Sequence, residues 1–159
     1  SMPKETAVMP DDLVTDCLSR TQTLLDFVIS YNDDELPSAF LSLVKKQRRI
    51  LVSVMKDKPL ALQIRRHLEY YLPKTIQLAS SYTKIKVSSM REEGDAGYLA
   101  KIDDVLSGFD AEYDAALKKI LPSKRASLDD VLSDAEDNLV ADGLRSKATD
   151  FRKDAEERE

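Results

Sequence analysis

The run Ile64-Arg65-Arg66-His67-Leu68-Glu69-Tyr70-Tyr71-Leu72-Pro73-Lys74-Thr75-Ile76-Gln77-Leu78-Ala79-Ser80-Ser81-Tyr82 decides the fold. Leu60, Ile64, Leu68, Tyr71, Thr75, Leu78 and Tyr82 recur every three or four residues, the spacing of one helical face. Pro73 interrupts that pattern. Proline removes a backbone donor and crowds the preceding turn, so a helix over this stretch is expected to kink at Leu72–Pro73.

Outward from this run, the remaining pattern is helical throughout. Residues 1–10 hold two of the prolines, Pro3 and Pro10, and little periodicity, which predicts a disordered leader. Asp11 or Asp12 is placed to cap a helix striped by Leu13, Val14, Cys17, Leu18, Thr21, Leu24, Leu25, Val28 and Ile29. Asp33 or Asp34 can cap a second helix, with Pro37 in its first turn. Its stripe runs Phe40, Leu43, Val44, Gln47, Ile50, Leu51, Val54 and Met55, and its other face carries Lys45, Lys46, Arg48, Arg49 and Lys56. Asp57-Lys58-Pro59 stops that helix and starts the third, with Pro59 at the first helical position. Gly94 suits a left-handed C-terminal cap and Asp95 an N-cap for a fourth helix striped by Leu99, Ile102, Val105, Leu106, Phe109, Tyr113, Leu117 and Ile120. Gly108 inside it either admits a close helix contact or lowers stability.

Past Pro122 the apolar residues thin out. Ser127 with Asp130 approximates a capping box, and Leu128, Val131, Leu132, Ala135 and Leu139 form a short stripe. The register slips at Asp142-Gly143, and the last eight residues hold one apolar side chain, Ala155. Each large side chain contributes about 1.5–3 kcal/mol when buried. Ordering each residue costs about 1–2 kcal/mol of backbone entropy. Residues 127–139 are therefore expected to need another surface, either the bundle or a second copy.

The expected fold is all-α: an antiparallel bundle of four main helices at about residues 12–31, 35–56, 59–91 and 96–121, the third kinked at Pro73. Residues 1–10 form the leader, 11–122 the bundle, and 123–159 a C-terminal helical arm with a frayed end. Length suits this, since 159 residues and 17.9 kDa make one domain with room for a real core. Four glycines, 42% apolar and 33% charged residues fit a helix-rich soluble chain. No run approaches the about 18 uninterrupted apolar residues of a membrane helix, and the start lacks a secretory pattern. Ser1 ahead of Met2 reads as a cloning remnant. The single cysteine, Cys17, rules out an internal disulfide and suits a cytoplasmic protein.

Charge is unevenly placed within a net of −5. Residues 1–44 carry 2 basic and 8 acidic side chains, residues 45–91 carry 12 and 2, and residues 92–159 carry 10 and 19. The basic middle is either an anion-binding surface or is neutralised by the acidic helices, and internal pairing is the favoured expectation.

Little catalytic chemistry is written here. There is no Gly-rich phosphate loop, nucleophile elbow or metal-spaced His/Cys cluster, and one histidine excludes a multi-histidine metal site. No catalytic residue, metal site or cofactor is expected. His67 beside Arg66 and Glu69 has the makings of a general base, but reads first as a residue at the edge of the core. Cys17 on an apolar stripe reads as a small buried hydrophobe. Tyr70 and Tyr71 point about 100° apart on a helix. Tyr71 fits the stripe and Tyr70 should face a groove or solvent. Asp103-Asp104 and Asp129-Asp130 read as solvated faces. The basic candidates Lys45, Arg48, Arg49, Arg65, Arg66 and Lys74 lie on adjacent helices, where guanidinium and ammonium groups can grip an oxyanion or an acidic peptide. A sequence pI near 5.0 and the lack of aromatic interleaving argue against nucleic acid.

The stretch His67 to Leu78, followed by Tyr82, resembles the signature of the bacterial 5-bromo-4-chloroindolyl phosphate hydrolysis family. A basic, apolar lead-in precedes Tyr70-Tyr71-Leu72-Pro73, then come Thr75, a Leu-containing turn and Tyr82. The likeness covers roughly residues 60–86, about a sixth of the chain. It implies phosphate-ester hydrolysis, partners similar to toxic-anion resistance proteins, and a membrane anchor in some members. An anchor would lie in a segment absent here and would place the chain on the cytoplasmic face of a membrane. Two functions are therefore carried forward. The leading one is a non-enzymatic bacterial interaction domain that docks an acidic protein partner on the basic face of helices two and three, with self-association open and a link to toxic-anion or stress resistance. The alternative is a phosphate-ester hydrolase using that face to hold phosphate.

Overall fold

Apolar stripes at helical spacing become helices wherever the backbone can close its hydrogen bonds. The computed structural model describes residues 7–121, 124–141 and 143, with the backbone alone at 124–127, 129, 130 and 141. The leader call on residues 1–6, the Asp142 part of the register slip, the Ser127/Asp130 capping box and the tail from residue 144 onward lie outside what is described. Six α-helices and no strand occur among the described residues: α1 (Pro10–Ser30), α2 (Phe40–Lys56), α3 (Leu60–Gln63), α4 (Leu72–Val87), α5 (Asp95–Ile120) and α6 (Lys124–Ala141). The chain divides after Leu121 into two compact units.

In the first unit, α2 packs on α1 and α5, and α4 packs on α5 and α1. Leu24, Phe40, Leu43, Ile50, Val54, Leu72, Leu106 and Tyr113 are fully buried between them. Phe27 joins the end of α1 to this core by meeting Phe40 edge to face and stacking on Tyr31. Ile29 and Met55, expected on apolar stripes, are instead exposed, 82% and 51%. Each lies one residue, about 100° of helical rotation, past the inward-facing Val28 and Val54, and the buried face is too narrow to include it.

Helix starts also differ from expectation. Pro10 opens α1, where a missing N–H costs nothing, and Met9, not Asp11 or Asp12, is the N-cap residue. The two aspartates sit in the first turn and favour the helix dipole instead. Asp33–Glu35 form a separate 3-10 turn, closed by the Asn32 N–H donating to Glu35 Oε2 at 2.9 Å. α2 starts only at Phe40, leaving Pro37 in the connection. Pro59, expected as the first helical residue, is instead the N-cap residue of α3, which starts at Leu60. α4 ends at Val87, so Gly94 (φ +93°) is the N-cap residue of α5 and does not close the helix before it. Asp95 is the first residue of α5 and accepts from the Glu92 N–H at 2.8 Å. A side chain at Gly108 would meet nothing within 4 Å, so this glycine serves no close contact.

The expected third helix is three pieces. α3 stops at Ile64, whose φ of −118° and ψ of 28° leave helical geometry. A π-helical turn then spans His67–Tyr71, and α4 follows with Pro73 in its first turn. The departure thus begins nine residues ahead of the proline. The Leu72 N–H reaches back five residues to the His67 carbonyl. This wider turn gives the Pro73 ring room it would lack against the carbonyl four residues earlier.

Candidate functional site

Two features stand out from the fold: a polar cluster inside the core and a basic groove outside it. The cluster begins with Gln47, a polar residue on the apolar face of α2. Its Nε2 donates to Thr21 Oγ1 at 3.1 Å and approaches Cys17 Sγ at 3.4 Å, while Thr21 donates to the Cys17 carbonyl at 2.6 Å. Its remaining atom, Oε1, lies 2.8 Å from His67 Nε2. An amide oxygen only accepts, so Nε2 carries the proton and Nδ1 is left as a lone pair.

His67 is therefore no edge residue. It is 4% exposed, and its ring meets Tyr113 edge to face at 4.5 Å. Burial lowers its pKa from 6.5 to about 4, keeping it neutral. Burial likewise pushes the Cys17 thiol up to about 11, and raises the Tyr113 hydroxyl, which pairs with Thr75 Oγ1 at 2.8 Å. These groups are arranged for packing. A pocket of about 70 Å³ beside His67 is lined also by Arg66, Tyr71, Glu112 and Lys119. No group of three His, Cys, Asp or Glu side chains suited to a metal occurs among the described residues.

The basic candidates separate. Arg65 donates from Nε to Glu69 one turn on, at 2.9 and 3.0 Å. Arg66 lies over Tyr70 and Tyr71, 5.2 and 5.6 Å from their ring centres, and Lys74 lies 6.0 Å from that of Tyr70. Tyr71 is half-buried against Phe109, Tyr70 is 45% exposed, and Leu72 and Tyr82 are buried. Lys74 borders another depression, of about 510 Å³, with Leu78, Ser81 and Lys84.

Lys45, Arg48 and Arg49 do converge. With Lys56 they line a groove of about 650 Å³ floored by Val52, Ser53 and Leu121. Positions 45, 48, 49, 52, 53 and 56 make one face of α2. Among the described residues these four cations form no ion pair. Among the described residues, the internal pairing expected for the basic middle is confined to Lys46 with Asp110 (2.7 Å) and Asp114 (2.9 Å), Lys58 with Asp11 (3.0 Å), and Arg65 with Glu69. α5 can reach Lys46, one residue round the helix from Lys45, but not the outer row. Sequence reading missed the groove's apolar floor. Val52 stood outside the stripe and Leu121 is brought in from the far end of α5.

No protein-family profile, curated protein or solved structure matches this chain.

Proposed function

We propose that the chain is a non-enzymatic bacterial helical interaction domain that docks an acidic protein partner on the basic groove of α2. The observation that carries this reading is the row Lys45, Arg48, Arg49 and Lys56, unpaired among the described residues over an apolar floor. Cations held in a row without counter-charges attract acidic segments, and the Val52–Leu121 floor rewards one that also carries an apolar side chain. Arg65, Arg66 and Lys74 stand apart from this row: Arg65 is paired with Glu69, and Arg66 and Lys74 lie by Tyr70. In this reading the four long segments form an antiparallel bundle, the third bent beside Pro73. The partner is of the toxic-anion resistance type, as the likeness around Tyr70-Tyr71-Leu72-Pro73 implies, and the setting is the cytoplasm or the cytoplasmic face of a membrane. No described helix is long and apolar enough to cross a membrane.

The competing phosphate-ester hydrolase finds less support, because Cys17 and His67, the side chains best suited to such chemistry, are buried in the core. The test is binding of a labelled helical peptide of Glu and Leu residues, followed by fluorescence anisotropy. Binding that weakens with salt and disappears in Arg48→Glu/Arg49→Glu supports docking. Failure to bind at low salt removes it. Phosphatase turnover that co-purifies with the chain and is lost in Arg65→Ala or His67→Ala favours the hydrolase.

A further inference from the structure

The pocket of about 70 Å³ beside His67 lies between the π turn and α5, and its walls differ in character. Ile64, His67 and Ala116 are its buried residues, and of these His67, 4% exposed, is the polar one. Arg66, Glu112 and Lys119 line it from exposed positions and form no ion pair among the described residues. Arg66 is steadied by its place over the Tyr70 and Tyr71 rings.

The proton on His67 is placed by a relay of bonds from α1 and α2. Thr21 gives its hydroxyl proton to the Cys17 carbonyl, so its oxygen accepts from the Gln47 amide nitrogen. Gln47 Oε1 then faces His67 Nε2, which must donate. Nδ1 is left as an acceptor, buried and without a hydrogen-bond partner among the described residues. A buried acceptor that nothing serves is costly, so its neighbourhood favours a donor.

We propose that this pocket binds a small oxyanion that keeps one proton, its hydroxyl donating to His67 Nδ1 and its charge held by Arg66 and Lys119. One ligand then answers both features of the pocket, an acceptor in the floor and two cations at the rim. Glu112 only accepts hydrogen bonds, so it too favours an anion with a proton to give over one without. The volume matches a group of a few non-hydrogen atoms, of which bicarbonate is the simplest. None of these residues lines the α2 groove, so this site and the docking reading stand or fall separately.

His67 is the one histidine of the chain, so isotope labelling at histidine nitrogen gives a single imidazole to follow by NMR. Bicarbonate, added to the full chain at mildly alkaline pH and constant ionic strength, should shift the Nδ1 resonance to saturation. Nitrate has the same charge and nearly the same shape but no proton, and should bind roughly tenfold more weakly or worse. Arg66→Gln/Lys119→Gln, changed at two exposed positions, should lose the bicarbonate response while keeping the wild-type circular dichroism. Absence of a saturable shift with bicarbonate overturns the proposal and leaves the pocket to water. An equal response to nitrate overturns it by reducing the site to charge alone. A shift that survives the double variant overturns it by placing the anion elsewhere.

Discussion

Arg20 in α1 donates from Nη1 to the main-chain carbonyl of Leu68, 2.8 Å away and 48 residues on, inside the π turn that precedes Pro73. The preceding carbonyl, of His67, is taken by the Leu72 N–H. In the same π pattern Leu68 would look to residue 73, which has no N–H. A guanidinium from another helix fills the gap and ties α1 to the irregular turn.

Arg20→Ala should therefore destabilise the chain by about 1.5–3 kcal/mol, the range for a hydrogen bond to a charged group, here a partly buried one. In a Pro73→Ala background the new N–H can serve that carbonyl, so the same change should cost markedly less. Chemical denaturation of the four proteins in this double-mutant cycle gives the coupling. Equal costs in both backgrounds would show that Arg20 acts elsewhere.

His67 makes stability depend on pH. Its pKa falls from 6.5 to about 4 on folding, so between those values the unfolded chain binds more protons than the folded one. Stability from this residue is complete above pH 6.5 and declines as pH falls toward 4, by about 3 kcal/mol in all. Urea titrations at intervals through this window should show the excess slope, and His67→Gln should flatten it. A slope unchanged by that substitution would assign the pH dependence to the carboxylates.

The all-helical character was legible because apolar residues at spacings of three and four persist along the bundle, from Leu13 to Ile120. What remained hidden depends on contacts between distant residues. Thr21 and Gln47 stand in the sequence only as members of apolar stripes, and nothing there joins them to each other and to His67. Pro73 announced an irregularity, yet it begins at Ile64 and is met at Leu68 by Arg20, far away in the chain. The cations of the candidate site were readable as a row on α2. Their accessibility was not, because it turns on Asp110 and Asp114 reaching Lys46 and nothing beyond it.

Cys17 should resist thiol reagents while the chain is folded. It is 1% exposed, and burial raises its pKa to about 11, so little thiolate is present at neutral pH. Labelling by a disulfide reagent should be slow in buffer and immediate in denaturant. Fast labelling of the folded chain would reveal a local opening between α1 and α2.

The Thr75–Tyr113 pair should respond unequally to losing either partner. Thr75 Oγ1 lies 2.7 Å from the Tyr71 carbonyl, to which it donates, so at 2.8 Å it must accept from the Tyr113 hydroxyl. Tyr113→Phe removes that donor but leaves Thr75 with its bond to Tyr71, at a cost of about 1 kcal/mol. Thr75→Val keeps the shape but strands a fully buried phenol, which costs about 1–3 kcal/mol. The double variant removes both polar groups and should be less destabilised than the two single costs added together. Thermal or urea denaturation of the three variants decides the point. A larger loss for Tyr113→Phe than for Thr75→Val would reverse the assigned direction of the bond.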